Sequence, residues 1–320
     1  MTSEPMGDDQ TGSVAAGTVI ASRFEVQHLL NIGGMGEVYR GLDRDTGQPV
    51  ALKIVLPALS EDANIAELLE NEAQTLASLS HDSVVRTLGM FRDETLGRAC
   101  LVMAMVEGDS LATLLDDGTL PEATVRALMH RLAAGLEEAH RIGVIHADLS
   151  PNNIILPGKD VARAKIIDFG IALSHPGRGS VAKGQFAGTL AFVAPEQLGR
   201  YGGRIDARSD VYALGLLAAA CCRGEPVDMG DTAEAAIARR QVVPDISDVY
   251  PGLRPILEYM LAPNPSHRPR SMAEVMCLLQ SSPEVIATLS ERRSIPAPDD
   301  AVPMPTLPPG AADGKTTPPG

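Results

Sequence analysis

Two short acidic motifs carry the chemistry that this sequence could perform. In the first, Asp148 lies in a polar stretch between apolar runs, and Asn153 follows it five residues later. In the second, Asp168 follows the apolar pair 166–167 and precedes Phe169 and Gly170. One aspartate can accept the proton of a hydroxyl group, while an asparagine and a second aspartate hold Mg²⁺ on the phosphates of ATP. Aspartate and asparagine also favour ordinary turns, but this order and spacing predict phosphoryl transfer.

A lysine and a glutamate in the first quarter of the chain are predicted to pair. Lys53 interrupts an apolar stretch that is typical of a strand, in which alternation places it on one face with Ala51 and Val55. An unpaired buried ammonium group is costly. Residues 65–79 repeat their apolar side chains at helical spacing, and Glu72 falls in a gap of that stripe. We expect an ion pair between Lys53 and Glu72; the alternative is a solvated Glu72 at the edge of the stripe.

The remaining elements predict two lobes. Strands are expected on both sides of a glycine-rich turn at residues 31–36, a turn that lets backbone approach a phosphate but also occurs in flexible hairpins. Further strands are expected at 87–92 and 99–106. The sequence changes from strand-rich to helix-rich near Met105. Helices are predicted from about 110 onward and at 121–141, 211–222, 255–261 and 271–279.

Composition excludes several classes of protein. The 320 residues carry a formal net charge of −14, which argues against nucleic acid or an anionic membrane as the main partner. The four cysteines show neither metal-ligand spacing nor the density of a disulfide scaffold. The longest apolar run, 213–222, is too short to span a bilayer, and the acidic N-terminus does not resemble a secretory signal. We therefore expect a cytoplasmic protein without a membrane span.

From about Phe24 to Ser281, these motifs resemble those of the bacterial, eukaryotic-like serine/threonine protein kinases. The resemblance implies an α+β, two-lobed protein kinase fold. A small antiparallel-sheet N-lobe with one main helix would occupy residues 21–105, and a larger, mostly helical C-lobe residues 106–281. A Gly/Ser/Thr-rich N-terminus, 1–20, and a Pro-rich tail, 282–320, are expected to be disordered.

The resemblance also implies ATP and Mg²⁺ as cofactors and assigns roles to single residues. Asp148 is similar to the catalytic base and acts with Lys53, Glu72 and Asn153, while Asn153 and Asp168 would be the metal ligands. Asp210 would anchor the catalytic loop. The residues implied in ATP binding lie in the glycine-rich loop, the sheet and the hinge: Leu30, Asn31, Ile32, Gly33, Gly34, Met35, Gly36, Glu37, Val38, Ala51, Lys53, Met103, Ala104, Val106 and Ile155. Thr189, Glu196 and Arg268 would belong to the activation segment and its support.

Some of these roles are more specific. Met103 resembles the gatekeeper, and the backbone of Ala104 and Val106 would bond the adenine ring. Val38, Ala51 and Ile155 would sandwich that ring.

Four positions depart from the family's pattern. Asn31 replaces the first glycine of the phosphate loop, and Ala104 replaces the common hinge glutamate. Ala147 replaces the arginine before the base, so the usual grip on a phosphorylated activation loop is missing. Ser150 replaces the lysine that faces the transferred phosphate, and losing one such cation can cost on the order of 10²-fold in rate.

The leading hypothesis is ATP-dependent phosphorylation of serine and threonine side chains on proteins. The alternative is a pseudokinase that binds nucleotide and acts as a scaffold, which the departures at Asn31, Ala147 and Ser150 favour. A small-molecule kinase of the aminoglycoside-phosphotransferase type shares the His-x-Asp motif but usually lacks Asp-Phe-Gly and the Glu196–Arg268 pair. Protein substrates are the expected partners, and the Pro-rich tail is a candidate docking segment for another protein.

Overall fold

The computed structural model describes residues 12–33, 36–56, 73–169 and 190–281. Several predictions concern residues outside these ranges. They include the disorder of the tail and the roles of Gly34, Met35, Glu72 and Thr189.

The first lobe is built on an antiparallel sheet, as predicted. Six strands lie in the order β1-β2-β3-β4-β6-β5, and every neighbouring pair is antiparallel. Their bounds are β1 Val19–Ile20, β2 Phe24–Gly33, β3 Gly36–Asp43, β4 Pro49–Val55, β5 Thr87–Asp93 and β6 Arg98–Ala104. Pairing of β2 with β3 continues to Gly33 and Gly36, so the predicted glycine turn is shorter and its first half is strand. Residues 73–77 are helical.

The two faces of this sheet enter different hydrophobic cores because side chains alternate along each strand. On β4, Val50, Leu52 and Ile54 belong to a small core on the outer face. Ala51 and Val55 pack into the large core that continues into the second lobe, which confirms the predicted alternation. Lys53 therefore reaches toward the second lobe from the cleft face of the sheet.

The second lobe is mostly helical, as predicted. Its helices are α1 Leu111–Asp116, α2 Glu122–Arg141, α3 Ala207–Arg223, α4 Ala233–Arg239, α5 Arg254–Met260 and α6 Met272–Gln280. A small antiparallel sheet joins β7 Asp109–Ser110, β8 Ile154–Leu156 and β9 Lys165–Ile166. Helix α3 is buried almost throughout, and each fully buried Leu or Val in it contributes roughly 1.5–3 kcal/mol. Within the described ranges, no helix combines the length and the apolar character that crossing a bilayer requires.

The N-terminal segment, residues 12–20, lies against the first sheet. Val14 is buried, and the Val26 N–H donates to the Thr18 carbonyl at 2.8 Å. The Val14 N–H donates to the Tyr39 hydroxyl at 3.0 Å, and a Cβ added at Gly12 would collide with that hydroxyl. The prediction of disorder for residues 1–20 is therefore wrong for 12–20. The stretch is polar on average, and its composition therefore suggested disorder, but its apolar residues Val14 and Ile20 are buried in the small core of the sheet.

Candidate active site

The loop that holds Asp148 is fixed from below by a buried carboxylate. Asp210, in the first turn of α3, accepts hydrogen bonds from the His146 and Ala147 N–H groups, each at 2.8 Å. His140, at the end of α2, donates to the same carboxylate at 2.7 Å. Burial alone would raise the pKa of Asp210, but the hydrogen bond and charge of His140 and the bonds from the loop lower it below its usual value. The carboxylate thus stays ionised and orients the backbone immediately before Asp148.

His146 joins the two acidic motifs. The Asp148 N–H donates to its Nδ1 at 3.2 Å, so the ring proton lies on Nε2, which donates to the Ile167 carbonyl at 3.0 Å. The imidazole is fully buried and packs on the Phe169 ring, with 4.6 Å between centroids. This side chain, together with the hydrogen bond from the Ile167 N–H to the Asn153 carbonyl at 2.9 Å, therefore holds the loop of Asp148 against the loop of Asp168.

Asp148 and Asn153 lie together, as their spacing predicted. The Asn153 side-chain amide donates to the Asp148 carbonyl at 2.8 Å, and its distance to the Asp148 carboxylate is 3.4 Å. Burial raises the pKa of the Asp148 carboxyl, and the nearby Asp168 charge acts in the same direction, while the Lys53 charge and the Asn153 hydrogen bond oppose it. A carboxylate with a raised pKa is a stronger base, which suits proton abstraction from a hydroxyl group.

Lys53 contacts the second acidic motif. Its Nζ lies 3.1 Å from Asp168 Oδ1, and both side chains are largely shielded from solvent, with 17% and 23% exposure. Asp168 adopts a left-handed backbone conformation with φ of 55°, which turns its carboxylate into the space between the lobes. The predicted partner of Lys53, Glu72, lies outside the described residues, so that ion pair stays a prediction.

The chemistry of the donor set fits Mg²⁺. Because the Asn153 amide nitrogen is engaged by the Asp148 carbonyl, the amide oxygen is the atom left to bind a cation. Asp168 adds carboxylate oxygens close by the ammonium group of Lys53. Hard oxygen ligands of this kind are those that Mg²⁺ prefers, with phosphates and waters completing its shell.

The strand register brings several predicted ATP-binding residues to one face. Val38 lies opposite Lys53, and Ala51 lies opposite Met103. Residues directly opposite each other in an antiparallel pair project to the same side of the sheet. In the second lobe, Ile155 is partly exposed between the buried Ile154 and Leu156 on β8. These positions form the roof and floor of a cleft.

One backbone group of Ala104, in the hinge between the lobes, is engaged. Its N–H donates to the Arg86 carbonyl at 2.9 Å, so its carbonyl is the group that could accept from an adenine ring. Leu30 and Ile32, near the end of β2, are large apolar side chains that are each 44% exposed.

Glu37 and Gly36, both predicted to lie in the ATP-binding loop, also have roles in packing the strand. The Glu37 carboxylate turns to the outer face, where it accepts from the Ser13 N–H at 3.0 Å and the Tyr39 hydroxyl at 2.9 Å. Arg98, whose Nη1 donates to Ser13 Oγ at 2.6 Å, completes this network. Glu37 therefore braces the strand that leaves the glycine loop, and its carboxylate does not face the nucleotide cleft. A Cβ at Gly36 would collide with the Ile54 carbonyl, so strand packing alone demands this glycine.

Among the described basic residues, Arg40 does not take the place of the missing arginine at Ala147, because it has another partner. Arg40 pairs with Glu107 at 2.6 Å, beside the hinge. Ala147 itself has a left-handed φ of 59°, and its carbonyl accepts a hydrogen bond from Gln197 Nε2 at 2.7 Å. The neutral side chain of Gln197 therefore contacts the catalytic loop at Ala147, the position of the family's arginine.

Glu196 and Arg268 form a buried pair. Arg268 Nη1 and Nη2 donate to the two Glu196 oxygens at 2.8 and 2.9 Å, and both side chains are at most 1% exposed. Ser209 Oγ donates to Glu196 at 2.7 Å, and the guanidinium carbon lies 4.6 Å from the Tyr212 ring centroid. This bidentate geometry is typical of strong arginine–carboxylate pairs.

Sequence reasoning missed four residues that support the site. They are His140, His146, Gln197 and Arg240. His140 could have been found, because it lies in the last turn of a predicted helix six residues before His146. The partners of Gln197 and Arg240 are mostly backbone atoms of distant segments, which leave no signal in the sequence.

Comparisons with known proteins agree with this geometry. Residues 24–278 match the protein kinase domain family. The chain is 34% identical over 292 residues to the serine/threonine-protein kinase pkn2 of Myxococcus xanthus, covering 87% of this chain and 35% of that protein. It is 35% identical over 266 residues to the DNA damage-responsive serine/threonine-protein kinase RqkA of Deinococcus radiodurans, covering 80% and 39%. The chain thus spans less than half the length of these two relatives.

A solved structure supports the same assignment. The PknI kinase domain of Mycobacterium tuberculosis superposes with a TM-score of 0.65 at 26% identity, covering 84% of this chain and 98% of that domain. The match over residues 24–278 includes both lobes and the two acidic motifs. The chain therefore belongs to the protein kinase domain family.

Proposed function

We propose that the chain transfers the γ-phosphoryl group of ATP to serine and threonine hydroxyl groups of proteins. The observation that carries the proposal is the presence of two contacting pairs between the lobes, Asp148 with Asn153 at 2.8 and 3.4 Å and Lys53 with Asp168 at 3.1 Å. The relatives pkn2 and RqkA, both named serine/threonine-protein kinases, support the choice of acceptor.

Each residue has a distinct part in this reaction. Asp148 accepts the proton of the attacking hydroxyl, and its raised pKa favours that transfer. Lys53 neutralises the phosphates of ATP, and the Asn153 amide oxygen and Asp168 carboxylate hold Mg²⁺. When bound, Mg²⁺ supplies positive charge to the phosphate oxygens. The exposed Leu30 side chain and the half-buried Val38 and Val106 suit an adenine ring.

The negative net charge supports protein substrates over nucleic acid, and the buried cysteines support a cytoplasmic setting. A net charge of −14 disfavours nucleic acid as a partner. Burial raises the pKa of Cys222 to about 11 and that of Cys100 to about 12, so these thiols stay protonated core groups. The Pro-rich tail is proposed to serve as a docking segment.

The proposal is tested by Asp148→Asn, with Asp116→Asn as the control because Asp116 is an exposed aspartate at the end of α1. Transfer of labelled phosphate from ATP to casein should fall by about 10²–10⁴-fold in Asp148→Asn. ATP binding by calorimetry should change little, and Asp116→Asn should match the wild type. Phosphoamino-acid analysis should find phosphoserine or phosphothreonine. Equal incorporation by wild type and Asp148→Asn would overturn the proposal, as would a wild type that binds ATP and transfers nothing, the behaviour of a scaffold.

A further inference from the structure

Arg240 is a buried cation whose partners are carbonyl groups. It follows α4 and is 1% exposed. Its Nε donates to the Val193 carbonyl at 2.7 Å, and its Nη2 donates to the Leu190 carbonyl. Its Nη1 donates to the Met229 and Ala236 carbonyls at 2.8 and 2.9 Å. Within the described residues, no carboxylate pairs with it.

Burying the Arg240 guanidinium costs free energy, so its hydrogen bonds to four carbonyl groups must be well placed. Burying an ion without a counter-ion carries a desolvation penalty that only well-placed hydrogen bonds offset. Two of the four acceptors lie in residues 190–193, which precede the buried pair of Glu196. The other two lie on α4 and the chain before it. Arg240 therefore ties the segment 190–194 to the body of the second lobe.

The same segment is tied at its other end to the catalytic loop. Gln197 Oε1 accepts from the Ala194 N–H at 2.9 Å. Its Nε2 donates to the Ala147 carbonyl at 2.7 Å, one residue before Asp148. Through Gln197, the segment 190–194 is therefore joined to the backbone immediately before Asp148.

We propose that Arg240 and Gln197 are positioning residues that hold residues 190–194 as a preformed wall for the protein substrate. The inference deepens the proposed function and rests on it. The acceptors of Arg240 are backbone carbonyls and Gln197 is neutral, so this hold needs no phosphate on the preceding loop. Arg240 and Gln197 thereby determine how tightly the protein substrate binds, while ATP binds to other residues.

The test compares Arg240→Lys, Arg240→Met and Gln197→Ala with the wild type. Lysine keeps the charge but lacks the planar fork that reaches several carbonyls at once. Arg239→Met is the matched control, because Arg239 is the neighbouring arginine and lies 59% exposed in a surface pair with Asp228. Steady-state kinetics would give KM for a phosphorylatable peptide, KM for ATP and kcat. Circular dichroism would monitor folding.

Each of the three variants should raise the peptide KM by about tenfold or more, because misplacement by 1 Å can cost up to 10²-fold. The KM for ATP should stay within about twofold, and Arg239→Met should match the wild type. The same shift should appear in a Ser174→Ala/Ser180→Ala background. If Arg240→Met does not fold, Arg240→Lys and Gln197→Ala still decide the question.

The inference is overturned if an active wild type and its folded variants share one peptide KM, or if both KM values rise together. It is also overturned if the shift disappears in the Ser174→Ala/Ser180→Ala background. A wild type that transfers no phosphate to any protein would instead overturn the proposed function, and this inference with it.

Discussion

Removing Arg268 should unfold the second lobe at a much lower temperature. In Arg268→Met the Glu196 carboxylate, 1% exposed, keeps the Ser209 hydroxyl and loses both charged hydrogen bonds. Three carbonyl groups, those of Arg208, Ala262 and Pro263, lose a donor as well. Methionine fills much of the volume, so the loss is electrostatic rather than a cavity.

The magnitude follows from the burial of the pair. Breaking a fully buried ion pair by removing one partner costs about 3–5 kcal/mol, because the other charge is left uncompensated. For a domain of this size, each kcal/mol lowers Tm by roughly 2–4 °C. Arg268→Met should therefore melt roughly 6–20 °C below the wild type. The double variant Glu196→Gln/Arg268→Met should recover part of that loss, since it removes the stranded charge.

Differential scanning calorimetry of the full chain gives the measurement. Arg239→Met is again the control, because its pair with Asp228 is exposed and surface pairs contribute about 0–1 kcal/mol. Melting of Arg268→Met no lower than Arg239→Met, or a double variant less stable than Arg268→Met, would refute this account of the pair.

Three further predictions concern the site. The acidic limb of the pH profile of kcat/KM should have its midpoint above 3.8, the ordinary pKa of aspartate, because burial raises the pKa of Asp148 and the base must be deprotonated. A midpoint at or below 3.8 would contradict this assignment. Ser174→Ala/Ser180→Ala should keep most of its rate on an added substrate, since Ala147 offers a phosphate nothing to bind, and a tenfold drop at unchanged circular dichroism would count against it. Ser13→Ala should lower the free energy of unfolding, measured with urea, by about 1.5–3 kcal/mol, because the Ser13 hydroxyl bridges the Glu37 and Arg98 charges. A decrease below about 0.5 kcal/mol would show that the bridge is dispensable.

The parts of the site that the sequence predicted are local or periodic. Asp148 and Asn153 are separated by one short loop, so their spacing alone keeps them close, and the structure joins them at 2.8 Å. The face of Lys53 follows from strand alternation. Its described partner does not, because Asp168 lies 115 residues away in sequence and reaches Lys53 only after the lobes have packed.

Glu37 shows how a motif can mislead about a side chain. A glycine-rich loop predicts nucleotide contacts for the backbone around it, but the pleat turns each successive side chain to the opposite face. Glu37 lies on the outer face with Tyr39, whereas Val38 lies on the cleft face with Lys53. Ser13, which hydrogen-bonds both Glu37 and Arg98, lies in a polar segment whose composition is typical of disordered chains.

The roles of Arg240 and Gln197 could not be predicted from the sequence, for a different physical reason. Arg240 binds the Val193 and Leu190 carbonyls across 47 and 50 residues, and Gln197 bonds backbone atoms at both of its ends. Every residue has a carbonyl group, so no residue type marks such an acceptor.

The sequence does show that the family's arginine is absent at Ala147. The structure places the neutral side-chain amide of Gln197 at the Ala147 carbonyl. A hydrogen bond between neutral groups is less sensitive to ionic strength than an arginine–phosphate pair. We therefore expect the loop before Asp148 to keep its order when Ser174 and Ser180 carry no phosphate.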